Sequence, residues 1–360
     1  MIRTSESHNH VRTRISDRPA SIASFLPGAE GGNAVPAQPT RRGLLVATAG
    51  FGLAAPAFAS QTPGWPNQSL RLVVPFTPGG SNDNFARPVA EALQVALGRP
   101  VVVENRPGAA GSIGAAFVAA APPDGHTLLL ASSSFATSST IRRTSFDALD
   151  SFDAIQRLCT APMVVVTKPN SPFRSMDQLV AHARAHPGAL LYGMAGLGGV
   201  GHFAMEAFNL ASRLQMEAIP YSGIAPAQAD LVSGRIDFLM TTLASVRGLV
   251  EAGTVPVIAV STAGRVPEMP DVPTIRETTG LDFEVTVWWG ILAPRGVPAP
   301  VQHRLNAEIA KAVQAPSYLR FLEAEGARPA PLGLPEFRDA LRTDVLRWRQ
   351  VATEARITVN

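Results

Sequence analysis

The sequence predicts an α/β fold of two lobes, and three observations carry that prediction. From residue 65 onward short β-rich runs alternate with Ala-rich helical stretches, the signature of α/β architecture with largely parallel sheets. The first of these spell out βαβαβ. Two apolar runs, PMVVVTKPNSP and VWWGILAPRGVP, each carry a strand straight into a Pro-bounded exit and read as connectors. On that reading residues 65–167 and 294–360 form lobe 1, residues 168–293 form lobe 2, and the chain crosses between them twice.

Each element follows from the local pattern. A strand over Leu70 to Phe76 leads to a helix ending near Leu97, and Pro100 to Glu104 gives the second strand. Pro88 costs a helix beginning at Ser81 a backbone bond, so the helix is expected to start at Asn82 to Asn84 or to kink. The loop Asn105 to Gly111 precedes a helix reaching about Ala121, and Asp124-Gly125 turns into the strand Thr127 to Ala131. Further strands are expected at Met163 to Thr167, Leu190 to Met194, Glu217 to Tyr221, Phe238 to Thr241, Val257 to Ser261 and Val285 to Leu292. The helices between them start near Ser175, His202, Pro226 and Ala244. After Pro300 the pattern is helical to the end, broken at Pro316 and around Leu332 to Pro335.

Loops at the carboxyl ends of such strands bind ligands in open α/β sheets, and here they face one another across a cleft. In VVPFTPGGSNDNFAR, Pro78 turns the chain and Gly79-Gly80 let backbone N–H groups approach a ligand without Cβ obstruction. The helix from Ser81 then offers free first-turn N–H groups and a dipole that favours an anion. No Gly-Lys-Ser/Thr ending follows, which excludes a nucleotide P-loop. Asp83 repels an anion unless its charge is engaged elsewhere; it reads as a cap accepting a first-turn N–H, with direct contact to the ligand as the alternative. Ser132, Ser133 and Ser134 offer hydroxyls after their strand in the first lobe. Gly196, Gly198 and His202, Ser222 and Gly223, and Thr241 and Thr242 follow strands of the second.

The front of the chain has a different character. Residues 1–39 mix Ser, Pro, Gly and Arg without apolar period and read as a disordered extension. Residues 40–59 read as an export signal of twin-arginine type: Arg41-Arg42, a short apolar run, and Ala57-Phe58-Ala59 for cleavage after Ala59. Of 31 basic and 28 acidic residues, the first 59 positions hold six and three, leaving 25 of each sign. A near-neutral mature chain without a Lys/Arg block excludes nucleic acid as a partner. Cys159, the one cysteine, excludes an internal disulfide and Cys-based metal frameworks.

Several long motifs in register now carry a resemblance: VVPFTPGGSNDNFAR, VVENRPGAAGSIGAAFVAAAPPDGHTLLLAS, GLGGVGHFAMEAF, IPYSGIAPAQADLVSGRIDFLM and WWGILAPRGVPAPV. Over almost the whole mature chain the sequence resembles the Bug-type substrate-binding receptors of tripartite tricarboxylate transporters. The resemblance implies a clamshell of periplasmic-binding-protein type II, each lobe a doubly wound sheet flanked by helices. It also implies a periplasmic receptor that captures a small organic carboxylate and passes it to membrane components, acting as a monomer, with no catalysis, metal or cofactor. The chain departs from the family wording at Met194 and Gly199, where hydroxyl residues are common, and at Thr241, where many members carry an acid. The lost acid points to a carboxylate that lacks an ammonium group.

The rival reading uses the same glycine loop. Gly196-Leu197-Gly198-Gly199-Val200-Gly201 spells G-x-G-x-x-G between a strand and a helix, as an exported nicotinamide-dependent oxidoreductase requires. Glu217 falls at the start of its strand, however, whereas a ribose-binding acid belongs at the end. His182 and His186 have i, i+4 spacing for a metal, but Pro187-Gly188 ends their helix and they read as its solvated end. His126 reads as a turn residue. Trp288-Trp289 lie in a crossing strand, where intrinsic fluorescence is expected to report lobe movement.

Overall fold

The computed structural model describes residues 64–358, so the expected extension and signal segment lie outside the described residues. The first half is the anticipated βαβαβ: β1 (Leu70–Val74), α1 (Ser81–Leu97), β2 (Val101–Asn105), α2 (Ser112–Ala119), β3 (Thr127–Ser132) and α3 (Ser133–Ile141). β1 lies between β2 and β3, parallel to both. Buried on both faces, it is nearly continuous in Leu and Val. α1 begins at Ser81 and runs through Pro88, so neither the later start nor a break is needed. It stops at Gly98, whose φ of 64° is left-handed and suits a residue without Cβ.

β4 (Phe152–Thr167) is sixteen residues long and serves both lobes. Its Phe152 to Pro162 part pairs antiparallel with β9 (Thr286–Pro294), and its Met163 to Thr167 part pairs antiparallel with β7 (Phe238–Thr242). Pro162, which cannot donate to a ladder, falls where the strand leaves one sheet for the other. The return crossing runs beside it. Ser261 laces the two together: its hydroxyl accepts the Met163 N–H at 3.0 Å and donates to the Val285 carbonyl at 2.5 Å.

The second lobe continues with α4 (Met176–Ala185), β5 (Leu191–Ala195), α5 (Val200–Ser212), β6 (Glu217–Tyr221), α6 (Ile224–Val232), α7 (Leu243–Glu251), β8 (Val257–Val260) and α8 (Ile275–Thr279). β5 lies between β6 and β7, parallel to both, while β8 pairs antiparallel with the far edge of β4. The chain ends with α9 (Ala299–Ala312), α10 (Pro316–Ala324), β10 (Arg328–Leu332) and α11 (Leu334–Glu354). No described helix is long and apolar enough to cross a membrane.

Three expectations change. The sheets are mixed rather than largely parallel, because β4, β8, β9 and β10 bring in antiparallel pairs. All of β9 pairs with β3 and β4 in the first sheet, so strand pairing places it in lobe 1 and not with residues 168–293. An apolar strand carries no mark of which neighbour it will bond. β10 and the first eleven residues of β4 were not expected: two prolines hide β10, and no turn signal marks Phe152. α11 packs on both lobes, with Trp348 edge-on to Phe203 of α5 at 5.8 Å.

Candidate functional site

The β1–α1 loop is held from behind by one carboxylate. Asp83, 2 % exposed in the first turn of α1, accepts from the Gly79 N–H at 3.0 Å and from Arg87 through two contacts of 2.9 and 3.0 Å. Asn105, at the end of β2, donates to the same carboxylate at 2.9 Å and to the Phe76 carbonyl at 3.1 Å. Burial pushes the Asp83 carboxyl up, but the hydrogen bonds from Gly79, Arg87 and Asn105 outweigh it and hold the pKa below the ordinary value. The expected cap is thereby corrected in form. Asp83 does not bond a first-turn N–H; it reaches back to Gly79, whose φ of 79° turns the loop. Gly80 occupies the cap position and no side chain caps the helix, so its first N–H groups stay available beside exposed Pro78, Gly79, Gly80 and Ser81.

A second loop, not among the expected site residues, shares this end of the sheet. Gly108, Ala109, Ala110 and Gly111 are consecutive at φ 129°, 47°, 53° and 94°. Two alanines in the left-handed region cost on the order of 1–3 kcal/mol each, and such strain collects at binding loops. Runs of this kind turn successive N–H groups into an anion-sized hollow. The signal in the sequence was Gly-Ala-Ala-Gly after a strand, read only as a connection.

The three serines part company. Ser132 ends β3 and, with Ser112 and Ser138, lines a small cavity of about 10 Å³ walled by Phe76, Phe135 and Phe146. None of these three hydroxyls has a partner among the described residues. Ser133 is committed to the scaffold, its Oγ accepting the Trp288 N–H at 2.9 Å, while Ser134, the second residue of α3, is half-buried.

In the second lobe Gly196 and Gly198 take φ of 101° and 86° between β5 and α5. His202, 6 % exposed, accepts the Gly198 N–H on Nδ1 at 3.3 Å. Burial pushes its pKa down to about 4, so the ring is neutral at pH 7 and holds the loop as an acceptor. Ile141, the last residue of α3, crosses from the other lobe: a Cβ on Gly198 would come within 2.5 Å of its Cδ1. Ser222 is exposed and Gly223 extended before α6. Thr241 is half-buried, and the Thr242 hydroxyl shares a 2.8 Å hydrogen bond with Ser245.

Register brings these loops toward the crossing. Ser132 pairs with Trp289, three positions from Thr286, and Thr242 pairs with Met163, so the ends of β3 and β7 meet the crossing strands from opposite sides. Gly198 lost to His202 and overlain by Ile141 cannot cradle a pyrophosphate, and Glu217 lies exposed at the start of β6. That geometry counts against the dinucleotide reading. A larger cavity of about 820 Å³ lies on the β8 flank, lined by α7, residues 253–257 and residues 268–272, and includes none of the expected site residues. Among the described residues no group of three or more His, Cys, Asp or Glu side chains is placed to hold a metal.

The family model for the tripartite tricarboxylate transporter family receptor matches residues 85–354. Protein BugT of Bordetella pertussis is 33 % identical over 315 residues, 87 % of this chain and 95 % of that one. The structure of R. palustris Rpa4515 with adipate superimposes with a TM-score of 0.73 at 32 % identity, covering 82 % of this chain and 99 % of that one. MatC from Rhodopseudomonas palustris with bound malate gives 0.67 at 28 % identity, over 80 % and 99 % of the two chains.

Proposed function

Because this chain belongs to the tripartite tricarboxylate transporter receptor family, whose members are two-lobed solute-binding proteins, we propose that it captures a small organic carboxylate between its lobes. The supporting observation is the β1–α1 loop. Its helix N-terminus is uncapped, and the Asp83 carboxylate beside it is already matched by Arg87, Asn105 and Gly79. An anion therefore meets backbone dipoles without meeting an unbalanced negative charge. The Gly108–Gly111 turn and the Ser132 hydroxyl add donors in the same lobe, and Gly196–His202, Ser222–Gly223 and Thr241–Thr242 supply the opposing jaw.

Adipate in Rpa4515 and malate in MatC support the carboxylate class. With Thr241 in place of an acid, the ligand of this chain lacks an ammonium group. Closure buries the anion among fixed donors, where each charge-assisted hydrogen bond contributes roughly 1.5 to 3 kcal/mol, and that differential affinity is what favours the closed state. The receptor is exported after cleavage at Ala59, works as a monomer in the periplasm, and delivers its ligand to the transporter's membrane components without chemical change.

A thermal-shift panel on the chain from Ser60 tests this. Mono-, di- and tricarboxylates, aspartate, glutamate and nicotinamide cofactors are compared at equal concentration. A plain carboxylate raising the melting temperature most is expected. A larger shift from an amino acid overturns the ligand class, and a shift from the cofactors alone overturns the receptor reading.

A further inference from the structure

We propose that Trp289 fixes the orientation of the Asn82 side-chain amide and so makes Asn82 Nδ2 a dedicated donor to a ligand oxygen; this rests on the cleft binding a carboxylate. The indole nitrogen of Trp289 lies 3.0 Å from Asn82 Oδ1. An indole N–H can only donate, so the amide must present its oxygen to Trp289 and turn its NH₂ away. No described residue takes that NH₂. Trp289 cannot swing to release it, being 4 % exposed and stacked on buried Phe85 at 4.1 Å and 16°. Phe85 sits one turn along α1 from Asn82, so one aromatic stack sets both the helix and the amide.

The placement matters because of the neighbours. Asn82 lies half-buried in the uncapped first turn of α1, and Trp289 pairs across the strands with Ser132, whose hydroxyl is also without a partner. A fixed NH₂ demands an acceptor opposite it, which a carboxylate, carbonyl or hydroxyl oxygen supplies. An ammonium is a donor only and is rejected at this point.

Malate and adipate serve as titration probes, with three variants of the full mature chain. Asn82→Asp keeps an acceptor for Trp289 and replaces the NH₂ by oxygen, so binding should weaken about 10- to 100-fold, the equivalent of one charge-assisted hydrogen bond. Trp289→Phe keeps the stack and frees the amide, for a loss of about 3- to 10-fold. Melting temperatures verify that both variants fold. Without ligand, the ¹⁵N spectrum of Asn82→Ala should show the Trp289 indole resonance displaced. An unmoved resonance, or Asn82→Asp binding as tightly as the parent chain, overturns the proposal. Failure of the parent chain to bind any carboxylate overturns the proposed function instead, and the ligand-free spectrum then decides the orientation of Asn82 by itself.

Discussion

Replacing Asp83 by alanine removes the acceptor that ties Gly79, Arg87 and Asn105 together. Breaking a buried ion pair costs about 3 to 5 kcal/mol, but Arg87 is 53 % exposed and can return to water, and Asn105 keeps its bond to the Phe76 carbonyl. The expected loss is therefore about 2 to 3 kcal/mol, read as a lower urea midpoint at unchanged slope. Arg87→Ala, which leaves Asp83 its other two donors, should cost only about 1 kcal/mol. The sign with pH follows from the lowered pKa of Asp83. Its contribution is complete above the unfolded value near 4 and fades as pH falls through the lower folded value, so parent and Asp83→Ala stabilities converge only in that acid window. Carboxylate affinity should fall about tenfold, because the loop that presents the N–H groups is no longer braced. Tighter binding in Asp83→Ala would refute the reasoning, since it would mean that the charge was repelling the ligand after all.

Gly198→Ala combines a left-handed φ of 86° with an overlap on Ile141, and should raise the carboxylate Kd about tenfold by propping the lobes apart; adding Ile141→Ala should recover part of the loss. Identical titrations for the parent and Gly198→Ala would show that this contact plays no part in closure. His202, neutral when folded, should destabilise the protein as pH falls from about 6.5 to 4, by about 3 kcal/mol more than in His202→Gln. Superimposable pH–stability curves for the two proteins would contradict its burial as a neutral ring. Gly290→Ala drives a methyl group into the Phe337 ring and to 3.1 Å from the Gln156 carbonyl, for a loss of about 2 kcal/mol in thermal unfolding, with partial recovery from Phe337→Leu.

Much of the fold was legible because its signals are local. Apolar period and turn residues mark β1, β3 and β6 within a residue or two, and Pro-Gly-Gly and Gly-Leu-Gly-Gly mark the two main glycine loops. What stayed hidden depends on partners distant in the chain. The distinction between a capping and a bracing Asp83 needed Asn105, and the division of Ser132 from Ser133 needed Trp288. The Gly108–Gly111 turn was passed over because its two alanines give no sign of positive φ in a sequence.

The sequence by itself determined the family, the α/β alternation and the kind of loop proposed to meet a ligand, since strand–glycine–helix order dictates free N–H groups whatever surrounds them. Tertiary structure decided which lobe owns β9, which hydroxyls remain without partners and which carboxylate is already matched. Those outcomes turn on pairings such as Trp289 with Asn82 across 207 residues, and no local propensity encodes a hydrogen-bond partner that far away.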